Sequence, residues 1–537
     1  MTSRARYAAI TLSAARAVLR FISVAAVACL GGCAFVGGFD GFFIDDTTGQ
    51  GGTGGGGGGA ATGGRGGRGG GSAAGGGGVT GDPCDGPVVF VKTDATGTGD
   101  GGGWDDAFTE LSNALTFAAS CPDVGEIWVA AGSYRPGVQP ELSFRLRRGL
   151  AVYGGFRGDE MALEQRDVAA NVTILTGDID QNDTTTAGVV TDIADIAGTN
   201  SFHVVTAAGT DETAVLDGFT ITAGNAAGTN ATDGGGIQCD DGGPTLRNLV
   251  VRGNRALGRG GGLFSRGTPT VQGATFRDNQ VVSATGGAIA IEAGALNLSE
   301  SAIIDNRSMD NGGGLYLSGS RFALLNVAIT GNTTTNHGGG VASIGAAEAN
   351  DNRFVNVLIS GNRADGLGGG VYFLGSSKVA LVNLTVTGNR ADNRGGGLWL
   401  SNDNTMLRIT NALIWGNTQG APAAPREGEI FLEDPNGPDA DITISHSILR
   451  DSGGSAAWNL IGLAIDGGDN TDVDPLFVAA VSAASAPTDG GNYRLQPPSP
   501  ARNTGDPSSG NASATDLAGQ SRVQGTTIDR GAYEFPE

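Results

Sequence analysis

Acids and amides alternate in Asp178-Ile179-Asp180-Gln181-Asn182-Asp183. Oxygen ligands at every second position can converge on one calcium ion. Asp178, Asp180 and Asn182 are therefore the candidate metal ligands, and calcium there would stabilise a loop rather than catalyse. Asp183 stands where a glycine is expected, and no Glu follows at the twelfth position, so a plain polar loop is the simpler reading. Histidine, the usual proton shuttle, occurs at His203, His337 and His446, in unrelated contexts. His337 precedes a glycine and reads as a turn residue. Cys239-Asp240-Asp241 reads as a solvated acidic turn, with the thiol inward as a small hydrophobe.

A second chemistry comes from aromatic and arginine positions that recur in step. Phe264, Tyr316, Tyr372, Trp399 and Phe431 occupy one repeated place, and Arg255, Arg307, Arg363 and Arg390 another. Aromatic faces beside guanidinium groups suit sugar rings and acidic glycans. Tyr316, Tyr372, Trp399, Phe431, Arg363 and Arg390 are thus the candidate glycan contacts, expected to stand out as an exposed ladder. If a loop such as 419–427 covered the aromatics, and the arginines paired with Asp365 and Asp392, the same columns would be structural.

These places are defined by a repeat. Gly-Gly-Gly-aliphatic blocks begin at Gly234, Gly260, Gly312, Gly338, Gly368 and Gly395, and Gly286-Gly287-Ala288-Ile289 fills the gap, at spacings of 26 to 30 residues. A period of this length marks a solenoid of stacked coils. Within one repeat Leu384 and Val386 alternate with Thr385 and Thr387, the pattern of a strand with one buried face. Leu398 and Leu400 point inward in a second strand, so Trp399 points outward. No amphipathic helix fits between the glycine blocks. The fold class expected is all-β, a parallel β-helix whose equivalent strands pair about 4.8 Å apart.

Asparagine keeps step at Asn225, Asn254, Asn279, Asn306, Asn332, Asn362, Asn389 and Asn417, with a second set at Asn248, Asn326, Asn356, Asn383 and Asn411. Asn tolerates left-handed backbone angles and can bond to its copies above and below. Both sets, and the glycines, read as corner chemistry. Apolar spacing over 104–119 predicts an N-terminal capping helix that starts near Asp105 and Asp106. Residues 83–480 form the β-helix on this reading, and 481–537 break the period and are expected to close its other end.

The N-terminus carries Arg4, Arg6, Arg16 and Arg20 and then an apolar run over 21–30, too short to span a bilayer, which takes roughly 20 residues. The run ends in Leu30-Gly31-Gly32-Cys33, which resembles a bacterial lipobox. That resemblance implies a lipoprotein signal peptide at 1–32, a lipid on Cys33 and a membrane partner reached through that lipid. Ala34, rather than Asp, follows the cysteine, which points to the outer membrane. Residues 33–82 are a glycine-rich linker expected to behave as flexible coil, about 30 Å end to end over its densest 35 or so residues. Removal of 1–32 leaves 29 Lys and Arg against 55 Asp and Glu, a net charge of −26. Such acidity argues against nucleic acid as a partner and against lying flat on anionic lipid. Cys84 and Cys121 flank the first folded segment, and an oxidising compartment favours a disulfide between them.

Phe276-Arg277-Asp278-Asn279 followed by Gly286-Gly287-Ala288-Ile289 resembles the FxxN and GGAI signatures of chlamydial polymorphic outer-membrane protein repeats. The coiled region resembles bacterial right-handed parallel β-helix proteins of the pectate-lyase-like superfold. Val91-Lys92-Thr93-Asp94 near the start, with Asp474-Pro475-Leu476-Phe477 and Asp529-Arg530-Gly531-Ala532-Tyr533-Glu534-Phe535 near the end, resembles the choice-of-anchor surface proteins of that kind. The resemblance implies a right-handed solenoid and no assigned catalytic residues. The function expected is a lipid-anchored cell-surface module for binding, adhesion or structure, with polysaccharide or other surface proteins as partners and no required cofactor. The alternative is a polysaccharide lyase or glycoside hydrolase, which would need clustered acids with a base, or carboxylates about 5–10 Å apart.

Overall fold

The computed structural model describes residue 84 and residues 86–537, apart from 348–351, 376–377, 402–405, 421–424, 434–440, 461–463 and 510–513. The expected signal peptide at 1–32, Cys33 and the expected linker lie outside the described residues.

A central coil is built from four short strands, for example Lys378–Val382, Thr385–Thr387, Arg390–Ala391 and Leu398–Leu400. Each pairs in parallel with its equivalents in neighbouring coils, making three sheets: a broad one holding the first two strands, a small one holding the third and a narrow one holding the fourth. Alternation places Leu381, Leu384, Val386, Leu398 and Leu400 in a continuous core, all fully buried. Each such side chain contributes roughly 1.5–3 kcal/mol by leaving water.

The glycine blocks turn the chain between the small and narrow sheets, and their positions differ in why they need glycine. The first lies in the left-handed region, at φ 72° for Gly286 and 66° for Gly395. The second approaches the next coil: a Cβ on Gly287 would lie 2.1 Å from the Gly313 carbonyl oxygen. At the third, the gap to the next coil is wider, and Ala288 fits there fully buried.

Asn254 to Asn417 form one buried column. Each side-chain amide Nδ2 donates to Oδ1 of the next asparagine, as from Asn332 to Asn362 at 3.0 Å, and each backbone N–H donates to that same oxygen. The left-handed residue at this corner is the one before the asparagine: Gly253, Asp278, Asp305, Gly331, Gly361, Gly388 and Gly416. Only the second set, Asn248 to Asn411, takes the left-handed angles itself, at φ 49° to 58°. Asn225 does not belong to the first column. It pairs with Arg255, and Gly224 occupies the column place, donating its N–H to Asn254 Oδ1 at 3.0 Å.

Both ends differ from the expectation. The capping helix is Leu111–Ser120, and it buries Leu111, Ala114 and Ala118 over the first coil. Residues 104–110 stay out of it because their side chains have partners elsewhere. Trp104 packs on Phe90 and Phe156 and donates Nε1–H to the Glu160 carbonyl, and Asp106 accepts from the Thr98 N–H at 2.8 Å. Cys121, just beyond the helix, is disulfide-bonded to Cys84 with Cα atoms 5.1 Å apart.

At the far end, Leu460 joins the core and Trp458 packs against it. The last residues do not close this end. They run back along the flank of the solenoid as a strap. Phe477, Tyr493, Leu495, Leu517, Ala532 and Tyr533 pack on Ala328, Leu358, Leu413 and Ile448, an outward-facing apolar column of the broad sheet. That column would otherwise be an exposed apolar stripe, so covering it is the stronger driving force.

Candidate functional site

The acidic loop at 178–183 turns its carboxylates onto its own neighbourhood. Asp178 accepts from the Asn182 N–H, Asp180 from the Thr199 N–H at 2.9 Å, and Asp183 from the Ala197 N–H and Asn200 Nδ2, both at 2.7 Å. The Asp178, Asp180 and Asp183 carboxylates are thus engaged by backbone and amide donors of the loop and its neighbours. Among the described residues, no three His, Cys, Asp or Glu side chains group to hold a metal ion. Burial, with the charges of Asp178 and Asp180, raises the pKa of Asp183 above the usual carboxylate range.

The outward aromatic column exists in register, Tyr372 beside Trp399 beside Phe431. The Tyr372 and Trp399 rings stack 4.5 Å apart, and His337 stacks on Tyr372 at 4.7 Å. The expected exposure is absent. Trp399 is 1% and Tyr372 5% exposed, in a satellite cluster with Ala342 against which Tyr316, Ile344, Leu367, Leu374 and Phe431 pack. Phe264 is sealed between the guanidinium groups of Arg259 and Arg266. Sequence spacing gives which side a residue faces; it does not give what neighbouring turns lay over it.

The arginine column is likewise in register on the small sheet, Arg255, Arg307, Arg363 and Arg390. It is separated from the aromatic column by the glycine turn. Arg363 pairs with Asp365 at 3.2 Å and Asp392 at 2.6 Å, and Arg390 with Asp392 at 2.9 Å. The cation over Phe431 is instead Arg394.

The three histidines are also engaged. His203 Nδ1 lies 3.0 Å from the Gly234 carbonyl, His337 Nδ1 accepts from the Leu367 N–H, and His446 Nε2 meets Asp469 at 3.1 Å. Cys239 is fully buried, and burial pushes its thiol pKa up. Arg252 holds Asp278, and Arg277 bridges Asp305 to Asp489 of the strap. Burial and the nearby Asp489 charge raise Asp305 to about 6.

One buried acid escapes the repeat reading. Glu429 terminates the asparagine column, accepting from Asn417 Nδ2 at 2.7 Å and from the Gly416 and Asn417 N–H groups. Its signal was a degenerate last block: Leu398 pairs with Ile430, so Glu429 stands where coils before it have the third glycine.

The C-terminal motif is a clip rather than a site. Asp529 accepts from the Asn503 and Phe535 N–H groups, Glu534 from the Asp529 N–H, and buried Arg522 faces Glu534 at 3.4 Å. Arg530 reaches the Thr504, Ser447 and Asp469 carbonyls, tying the strap to the last coils.

A family model described as "Right handed beta helix region" matches residues 296–463. Among solved structures, the chain is similar to the crystal structure of pectate lyase Pel9A, at 12% identity over 83% of this chain and 96% of that chain, with a TM-score of 0.34. No curated protein matches the chain. The stacked parallel sheets and this match together identify the solenoid as a right-handed parallel β-helix.

Proposed function

We propose that this chain is a lipid-anchored, cell-surface module whose β-helix serves binding, adhesion or structure, with surface polysaccharide as the partner class. The observation that carries it is the closed state of the acidic side chains. Asp233 and Glu292 are held by Arg259, Asp278 by Arg252, Asp305 and Asp489 by Arg277, and Asp392 by Arg363 and Arg390. Carboxylates fixed this way stabilise coil-to-coil stacking, which suits a rigid display scaffold better than lyase or hydrolase chemistry. The anchor rests on Leu30-Gly31-Gly32-Cys33 and the glycine-rich spacer. No helix among the described residues is long and apolar enough to cross a membrane.

The test is fractionation of cells fed a labelled fatty acid. The wild type is expected in the membrane fraction carrying label, and exposed to protease on intact cells. Cys33→Ser is expected to lose both label and membrane association. Label-free wild type, or protection from protease on intact cells, defeats the reading.

A further inference from the structure

The strap meets the solenoid at one corner through a single loop. Its strands Phe477–Ala479 and Asn492–Leu495 pair antiparallel, and 480–491 joins them. The Thr488 N–H donates to the Gly361 carbonyl at 2.9 Å, at the corner just before the first asparagine column. Three successive corner residues beneath the loop are left-handed glycines, Gly331, Gly361 and Gly388. A Cβ on Gly361 would collide with the Thr488 carbonyl oxygen. One on Gly331 would come 3.0 Å from the Asp489 nitrogen, and one on Gly388 2.9 Å from the Val481 oxygen. These glycines are the footprint of the loop. The two coils before them place Asp278 and Asp305 at the same corner, so Asp305 stands at the edge of the footprint.

At that edge three carboxylates meet two guanidinium groups. Arg252 holds Asp278 at 2.7 Å. Arg277 holds Asp305 at 2.7 Å and reaches Asp489 at 3.1 Å and Asp278 at 3.6 Å. Asp192 adds a further negative charge beside Asp278. Asp489 belongs to the loop, so seating the loop brings in the carboxylate that leaves the cluster one cation short. A partly buried cluster with excess negative charge is relieved by taking up a proton. Burial, then the Asp489 charge, raise Asp305 from 3.8 to about 6, with Asp278 adding to them and Arg277 and Arg252 opposing.

We infer that loop 480–491 is a pH-sensitive latch on the strap, seated on the corner glycines in mild acid and released from them as the surroundings turn neutral. With the loop lifted, Asp305 loses the neighbouring Asp489 charge and part of its burial, and its carboxyl returns toward the ordinary range. Seating therefore takes up a proton. The stabilisation this gives is fully present below about pH 4 and is lost as pH rises through about 6. The hairpin above the latch lays Phe477, Tyr493 and Leu495 on the apolar column that holds Ala328, Leu358, Leu413 and Ile448, so release loosens the cover of that column. The device needs neither the lipid anchor nor a ligand.

The experiment is amide hydrogen exchange of the full chain, purified in neutral detergent, at about pH 5 and about pH 7.5, each rate normalised to the intrinsic rate at its pH. Protection of 480–491 is expected to fall about tenfold between the two. The fall is expected to shrink below about threefold in D305N, because Asn accepts the left-handed angle and carries no charge, and in D489N, which balances the cluster. Should D305N fail to melt like the wild type, D489N is read in its place. G361A is expected to leave the loop unprotected at both pH values. G416A, a left-handed corner glycine whose Cβ would find its nearest neighbour 3.9 Å away, is expected to keep the wild-type profile. A wild-type loop equally protected at both pH values, a fall in the acid variant as large as the wild type's, an equal fall in the coil amides of Arg353–Ser360, or equal loosening in G361A and G416A overturns the proposal.

Discussion

The carboxylate of Glu429 takes from Asn417 the two hydrogen bonds that every earlier asparagine of the column gives to its successor. They are the side-chain bond at 2.7 Å and the backbone bond at 3.1 Å. A column of amides has a free donor at its leading end, and a fully buried acceptor there satisfies it at the price of desolvation. Burial lifts the Glu429 pKa from 4.5 to about 7 against the opposing hydrogen bonds.

That shift has a sign for stability. Between about pH 4.5 and 7 the folded chain holds a proton at Glu429 that the unfolded chain has released. Stability from this group is therefore greatest in acid and falls as pH rises through that window. Glu429→Gln keeps an acceptor for Asn417 without a charge. The difference in unfolding free energy, wild type minus variant, is expected to decline from pH 5 to pH 7.5 by an amount on the order of one to a few kcal/mol. A flat difference across that range in urea titrations rejects the assignment.

Gly287 and Gly314 separate two reasons for glycine in one kind of block. A Cβ on Gly287 would sit 2.1 Å from the Gly313 oxygen, whereas one on Gly314 would sit 2.8 Å from the Gly340 oxygen, at the place where Ala288 is native. Gly287→Ala is expected to cost about 3 kcal/mol or more, and Gly314→Ala under about 1.5 kcal/mol. Paired chemical denaturation measures both, and equal costs would contradict the distinction.

Trp399→Ala is a packing change. With the ring 1% exposed and stacked on Tyr372, its removal is expected to cost about 3–5 kcal/mol in stability. Urea denaturation of wild type and variant measures that cost. An unchanged unfolding free energy would mean that the ring is exposed, and would restore the aromatic ladder as a contact surface.

Tyr533 anchors the strap in its own apolar cluster, apart from the main core. Tyr533→Ala is expected to loosen residues 474–537 before the coils. Limited proteolysis with mass spectrometry should show first cuts within the strap and a protected β-helix. First cuts inside the coils would mean that strap and solenoid unfold as one unit.

Asn225 and Asn254 show where the chain can be read directly and where it cannot. Both keep the period, yet only Asn254 joins the column, because the pairing of Asn225 with Arg255 shifts it by one place. A one-residue slip moves a side chain to the other face, and only the hydrogen-bonded register reports it.

The repeat itself was legible without coordinates. Periodic glycines, alternating aliphatics and buried asparagines are local requirements of one coil, and stacking satisfies each against its own copy, so period alone dictates the solenoid and the inward or outward sense of Leu398 and Trp399. Coverage was decided only in three dimensions. Whether Trp399 meets water, whether Arg363 is paired with Asp392, and that the last residues lie along the flank all depend on contacts between segments distant in sequence. Apolar burial drives those contacts, and it is indifferent to sequence separation.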